Sequence, residues 1–231
     1  MAPQPNQPDQ PMNQKTSSVD VDSLIDALPP SLARLARRGL AHPYRKGVIL
    51  IDEGERGDTV YIILAGRLRA FSTNLAQDRE ITYGTYGPGE YVGELGLDGG
   101  LRAASVVTLE ASVCVVVTRP TLEMHIAEHP EFAFELLSKV IGRARAATLS
   151  ARQMALNDVY GRVKHLLEGM AGPPGLDSWA EAERLTHRDM AARVGCSREM
   201  VSRVVKDLES GGHVMTTTSQ LRVKLPLPAR W

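Results

Sequence analysis

Two segments with helix signals, separated by a short glycine turn, constrain this chain more than any other feature. Thr186 precedes His187-Arg188-Asp189-Met190-Ala191-Ala192-Arg193, Val194-Gly195-Cys196 follows, and Ser197 precedes a second segment that runs to about Ser210 and stops at Gly211-Gly212. A hydroxyl side chain ahead of a first turn accepts hydrogen bonds from orphan backbone N–H groups, and glycine ends a helix without steric penalty. The spacing therefore predicts helix, turn, helix. In the second helix Val201, Val204, Val205 and Leu208 recur at three- and four-residue steps, which gives one apolar face to pack on the first helix. At about 100° per residue, Arg198, Glu199, Ser202, Arg203 and Lys206 fall on the other face.

A solvated surface is the ordinary reading of charges on a lone helix, but the charge distribution here favours a polyanion. From Arg184 to Lys206 there are six Arg or Lys and two acids, in a chain whose formal net charge is +0. Arg198, Glu199 and Arg203 suit base edges: arginine forks onto guanine O6 and N7, and glutamate accepts from the cytosine amino group. Residues 213–215 and 221–225, joined by Thr216-Thr217-Thr218-Ser219, read as a two-stranded wing. The module expected is a winged helix-turn-helix that binds double-stranded DNA.

Such a module uses about 60 residues, and the chain has 231. No apolar run approaches the ~18 to 20 residues of a membrane span, and the first residues lack a basic stretch followed by an apolar one, so a cytoplasmic location away from the membrane is expected. The two cysteines, Cys114 and Cys196, read as a buried small residue and a turn residue, not as a disulfide framework. Residues 1–20, rich in Pro, Gln and Asn, read as a disordered tail. Short helices are expected at Val21–Leu28 and Pro30–Arg38. From about Tyr44 to Arg119, β-prone runs at 47–51, 59–64, 67–71, 81–86, 105–109 and 112–117 alternate with Gly, Pro and Asp, as in a sandwich or jelly-roll barrel.

One interruption of this barrel carries chemistry. Residues 88–105 form a glycine-rich segment, with Gly93-Glu94-Leu95 near its middle and Arg102-Ala103-Ala104 at its end. Small residues let backbone N–H groups approach an anion, Arg102 can add a charge-assisted fork, and Glu94 can bind a sugar hydroxyl. Glycine-rich turns with an occasional ion pair are common, so composition leaves a purely structural segment open.

The sum of these motifs resembles the cyclic AMP receptor protein and FNR family of bacterial transcription regulators. The resemblance covers nearly everything after residue 44: Gly57-Asp58 leading into Tyr61-Ile62-Ile63-Leu64-Ala65-Gly66, the Gly93-Glu94-Leu95 and Arg102-Ala103-Ala104 cassette, a long helix, and Gly195-Cys196-Ser197-Arg198-Glu199. It implies an α+β chain: an N-terminal jelly-roll barrel of the cyclic-nucleotide-binding type (21–129), a long dimerisation helix (130–170) and a C-terminal winged helix-turn-helix (171–231). It further implies that Arg198, Glu199 and Arg203 read a TGTGA-like half-site and that Thr186, Arg188 and Ser197 touch phosphates. In the cassette, Glu94 would bind a ribose hydroxyl and Arg102 a cyclic phosphate, with the backbone around Gly93, Leu95 and Ala103 completing the cradle. Ala103 stands where the receptor has a serine. Ala147-Thr148 replaces Thr-Ser, which leaves Thr148 as the hydroxyl facing the base.

The helix from 130 to 170 would exceed about 50 Å. Ile141, Ala144, Thr148, Ala151, Ala155 and Val159 recur along it as a seam of small and apolar residues suited to a second copy, and a homodimer fits an inverted repeat. The function expected is DNA binding gated by a cyclic nucleotide, cyclic AMP first, with no obligatory cofactor. Cyclic di-GMP, or no effector, are the alternatives. RNA polymerase is a further partner implied by the resemblance, although residues 171–179 differ from the loop that the cyclic AMP receptor uses. No catalytic or metal-ligand motif is found, and His42, His125, His129 and His165 read as structural or solvated rather than haem ligands. A cyclic-nucleotide hydrolase, the reading from another class, has no residue to serve as base.

Overall fold

The structure is a computed structural model that describes residues 20–74, 76, 79–171, 178–217 and 220–229. The expected tail and most of the loop before the DNA module lie outside the described residues. Two short helices come first, α1 (Val21–Asp26) and α2 (Pro30–Ala36). Asp20 caps α1 by accepting from the Ser23 N–H, and Pro30 opens α2 where no amide donor is needed.

Eight strands follow: β1 (Leu40–Tyr44), β2 (Ile49–Ile51), β3 (Val60–Ala65), β4 (Leu68–Asn74), β5 (Arg79–Tyr86), β6 (Tyr91–Val92), β7 (Ser105–Thr108) and β8 (Ser112–Val117). They form two four-stranded antiparallel sheets, ordered β1-β8-β3-β6 and β2-β7-β4-β5. Each strand turns alternate side chains inward, so Ile62, Leu64, Val115 and Val117 pack under α1 and α2, while Ile63, Leu68, Val106 and Cys114 fill the space between the sheets. Burial pushes the Cys114 thiol up to about 12, which leaves it an inert apolar filler. The jelly-roll expectation holds. β1 was not anticipated as a strand because it contains Pro43, but it lies at a sheet edge and pairs only with β8, where a missing amide donor is tolerated.

Helix α3 (Arg119–Glu128) leads to α4 (Glu131–Leu156) and α5 (Val159–Ala171). The single helix expected from 130 to 170 is therefore two. Asn157 is extended at φ −110 and ψ 138, and the Asp158 carboxylate accepts from the Gly161 N–H at 2.7 Å, starting a new helix. Apolar spacing runs through this break and conceals it. Val163 and Leu167 of α5 are buried in the same core as the C-terminal helices, and Val159, expected in the dimer seam, packs against that core instead.

His125 on α3 is fully buried, with neither ring nitrogen hydrogen-bonded among the described residues. Its ring lies edge-on to Phe132 at 5.0 Å and 4.9 Å from His129. Burial holds its pKa below 6.5, helped by His129, Arg38 and Arg34 and opposed by Glu128. Below about 6.5 the unfolded chain takes up a proton that the folded chain refuses, so stability rises with pH in that window and falls as pH drops through it. Urea unfolding between pH 7.5 and 5.5 should show the loss, and His125→Leu should flatten that part of the profile.

The C-terminal module consists of α5, β9 (Ser178–Glu183), α6 (His187–Val194), α7 (Arg198–Ser210), β10 (Val214–Thr216) and β11 (Gln220–Leu225). The wing expected with two strands has three, ordered β10-β11-β9. Residues 180–183 alternate alanine with glutamate, burying Ala182 and exposing Glu181 and Glu183. Trp179 belongs to this strand, with the Arg222 guanidinium 5.6 Å from its ring centroid.

Candidate effector pocket and nucleic-acid interface

Glu94 opens a single 3₁₀ turn (Glu94–Gly96) that follows β6 directly. Gly93, at φ +96, makes this corner, and a side chain there would bring its Cβ within 2.5 Å of the Thr59 carbonyl oxygen. Arg102 lies beneath the corner and is buried. Its Nη1 donates to the Gly93 carbonyl at 2.7 Å, and its Nη2 to the Thr59 carbonyl and hydroxyl at 3.0 Å each. The arginine expected to meet a phosphate thus also ties the cassette to β3 through the residue before that strand. Glycines at 57 and 96 make room for it, since a Cβ at either position would come within 2.9 Å of the guanidinium.

The Glu94 carboxylate is 2% exposed. One oxygen pairs with Arg143 of α4, while the other has no hydrogen-bond partner among the described residues. A buried carboxylate oxygen left unpaired is costly, and a donor from a ligand would satisfy it. Arg143 also donates to the Tyr91 carbonyl and sits over two rings, 4.7 Å from the Tyr86 centroid and 5.6 Å from that of Tyr91. Burial pushes both tyrosine hydroxyls up, Tyr91 to about 12, so these walls stay neutral. Sequence reasoning missed Arg143. The available signal was its place one helical turn before Ala147, on the face of α4 that meets the barrel.

These groups line a cavity of about 810 Å³ between the second sheet and α4, in the range of a small-molecule site. Its walls bring together Gly93, Glu94, Leu95, Arg102 and Ala103, with Lys139, Arg143 and Arg193 adding positive charge. Thr148 is not among the lining residues; it is exposed on α4, and its hydroxyl donates to the Ala144 carbonyl. The pocket touches the C-terminal module: Arg193 of α6 lines it, and a Cβ at Gly195 would lie 3.1 Å from Met154 and 3.9 Å from Ile81, two other lining residues.

In the helix-turn-helix, Thr186 and Asp189 form a reciprocal capping box on α6, Gly195 closes it at φ +67, and Ser197 caps α7 by accepting from the Met200 N–H. The Thr186 and Ser197 hydroxyls therefore hold helix ends. Val201, Val205 and Leu208 are buried, whereas Arg198, Glu199, Arg203 and Lys206 are exposed on the outer face, as the spacing predicts. Hydrogen bonds from its own backbone N–H and from the Ser197 hydroxyl hold the Glu199 carboxyl below its ordinary range, so it is ionised and an acceptor. Arg188 is exposed on α6. Among the described residues no group of three His, Cys, Asp or Glu could hold a metal ion, and no helix is long and apolar enough to cross a membrane.

A barrel pocket walled partly by a winged helix-turn-helix defines a transcription regulator with a ligand-binding domain. The family model for the cyclic nucleotide-binding domain matches residues 41–129, and that for bacterial regulatory proteins of the crp family matches residues 184–212. The chain is 30% identical over 191 residues to the CRP-like cAMP-activated global transcriptional regulator of Mycobacterium tuberculosis, covering 80% of this chain and 84% of that protein. It is 30% identical over 186 residues to the cyclic AMP receptor protein of Thermus thermophilus, covering 78% and 82%. In fold it is similar to the c-di-GMP responsive global regulator CLP of Xanthomonas campestris, with a TM-score of 0.74 at 22% identity, covering 84% of this chain and 98% of that one. The chain belongs to the cyclic AMP receptor protein and FNR family of bacterial transcription regulators. These relatives are named as regulators, not enzymes.

Proposed function

We propose that this chain is a homodimeric regulator that reads a TGTGA-like inverted repeat, with its DNA affinity set by a cyclic nucleotide, cyclic AMP first, in the barrel pocket. The observation that carries the reading is that one pocket holds the buried, half-paired Glu94 carboxylate and is also walled by Arg193 of α6. In this account a ribose hydroxyl donates to the free Glu94 oxygen, and Arg102 with the backbone at Gly93, Leu95 and Ala103 receives the phosphate. A ligand that favours one placement of α6 against β5 shifts the population of DNA-binding arrangements. The named cAMP-activated relatives support cyclic AMP as first choice.

Phe134, Leu137 and Ile141 recur at three- and four-residue steps on α4 and are exposed, Phe134 at 74%. This stripe suits a second copy, and across such a two-fold Thr148 would face the partner's ligand. The pocket volume of about 810 Å³ also favours a second reading, a cyclic dinucleotide such as cyclic di-GMP. RNA polymerase is a further proposed partner. Isothermal titration with cyclic AMP, cyclic GMP and cyclic di-GMP tests the gate. Heat from one ligand, lost in Arg102→Ala, is expected, and no heat from any of them would leave a regulator without an effector.

A further inference from the structure

A second, smaller cavity adjoins the effector pocket where the end of α4, the start of α5 and the end of α6 meet. It measures about 120 Å³ and is walled by Ser150 and Gln153 of α4, Arg162 and His165 of α5, and Arg193 of α6. One water needs about 10 to 15 Å³ and small-molecule sites start at about 300 Å³, so this space suits an ion or one end of a larger ligand. Among the described residues that line it there is no carboxylate. Arg162 Nη1 reaches the Met154 carbonyl at only 3.5 Å, and its buried Nε has no hydrogen-bond partner among the described residues. Arg193 makes no hydrogen bond or ion pair among them. Burial pushes the Cys196 thiol up while Arg162 and Arg79 pull it down, so positive potential extends to the turn between α6 and α7.

We infer that this corner is a binding site for a phosphate-type oxyanion, held between the guanidinium groups of Arg162 and Arg193. A guanidinium carries five N–H donors in a planar fork that fits two oxygens of one anion, the Ser150 hydroxyl and Gln153 amide add donors, and His165 supplies at least one N–H in either protonation state. The carbonyl ends of α4 and α6 oppose an anion. They amount to about half a negative charge each, against two full positive charges on the arginines, so the balance favours binding. The oxyanion has two sources: free phosphate, or a phosphoryl group of an effector in the large pocket, which shares Ser150, Met154 and Arg193 with this cavity. From either source the anion ties α5 and α6 to the end of α4, across the break at Asn157-Asp158. The inference does not rest on Glu94 and Arg102 holding a cyclic nucleotide.

The experiment is isothermal titration of the full chain, in phosphate-free buffer at constant ionic strength, with inorganic phosphate, cyclic AMP and cyclic di-GMP as probes. The variants are Arg162→Gln, Arg193→Gln, Arg102→Ala and, as control, Arg45→Gln in the exposed turn between β1 and β2, each checked by thermal unfolding. Arg162 lies in the first turn of α5, so Arg193→Gln, exposed on α6, keeps the test readable if Arg162→Gln unfolds. Saturable heat from phosphate, weakened about 10- to 150-fold in Arg193→Gln and unchanged in Arg45→Gln, is expected for a free anion, the worth of one charge-assisted hydrogen bond. Phosphate heat that persists in Arg102→Ala separates this site from the effector cassette. Where the phosphoryl group belongs to an effector, phosphate gives no heat and Arg193→Gln weakens the nucleotide that binds by the same factor. Phosphate binding that survives both Arg162→Gln and Arg193→Gln would place the anion elsewhere and overturn the inference. So would equal weakening in Arg45→Gln, or an absence of phosphate heat with no nucleotide weakened by Arg193→Gln.

Discussion

Alanine at position 93 will remove the response to effector and cost the barrel about 2 to 4 kcal/mol, summing a left-handed non-glycine residue with the clash of an added carbon. Gly93 stands at φ +96, and its Cβ would meet the Thr59 carbonyl oxygen at 2.5 Å and Arg102 Nη1 at 3.1 Å. Neither neighbour can withdraw cheaply. The carbonyl is backbone of the residue just before β3, and Arg102 is held by that same carbonyl and by Gly93 itself. Moving the corner carries Glu94 with it and breaks its ion pair with Arg143. For a chain of this size each kcal/mol is worth about 2 to 4 °C in melting temperature. Differential scanning calorimetry should show an earlier barrel transition, and titration calorimetry should show no ligand heat. The core of the C-terminal module is separate, so affinity for random duplex should stay within about twofold of the wild type. Unchanged ligand binding in Gly93→Ala would show that the cassette corner does not form the effector site.

The second large effect concerns base reading. Arg203→Ala should relax preference at one guanine of the half-site at a cost of about 1 to 3 kcal/mol, with affinity for scrambled DNA hardly changed. Arg203 is exposed on α7, opposite the buried Val201, Val205 and Leu208, so its loss leaves the packing of the module untouched. Arg188, on the helix expected to cross the backbone, provides the contrast: Arg188→Ala should weaken every sequence alike and lower the salt slope by about one. Parallel titrations on point-substituted duplexes at two salt concentrations separate the two patterns. Identical behaviour of the two variants would refute both roles.

The helix-turn-helix was legible because its signals are local. Thr186, Gly195 and Ser197 each fix a boundary through a hydrogen bond or a backbone angle within three residues, and the structure places all three as caps. Most barrel strands were legible for a similar reason, the alternation imposed by one buried face. Features decided by distant parts of the chain were less so. Pro43 hid β1, because only its position at a sheet edge makes proline acceptable there. Residues 178–183 gain strand character from pairing with β11, some 40 positions away. Helix spacing continued through Asn157-Asp158, and only the cap at Gly161 reveals two helices with different partners.

The pocket was half legible. Gly93, Glu94 and Arg102 announced a cassette by composition, yet the pairing of Glu94 with Arg143 depends on α4 folding back across the barrel, 49 residues later in the chain. The inward bonding of Arg102 was equally invisible, since a glycine-rich segment shows where a guanidinium fits but not which carbonyls it will hold. Ser202 is the same lesson on a smaller scale. Helical geometry put it on the outer face, and its hydroxyl also meets a residue of another helix, 2.8 Å from His187 Nδ1.

The central claim is that one chain joins an effector pocket to a reader of a specific half-site. It is tested most directly by binding to TGTGA-N6-TCACA and to its scrambled counterpart, each with and without cyclic AMP, cyclic GMP or cyclic di-GMP. The account predicts that one of these ligands changes affinity for the palindrome and that, in the binding-competent state, the palindrome is preferred by at least about 10³-fold. Equal affinity for the two duplexes under every ligand condition would contradict it.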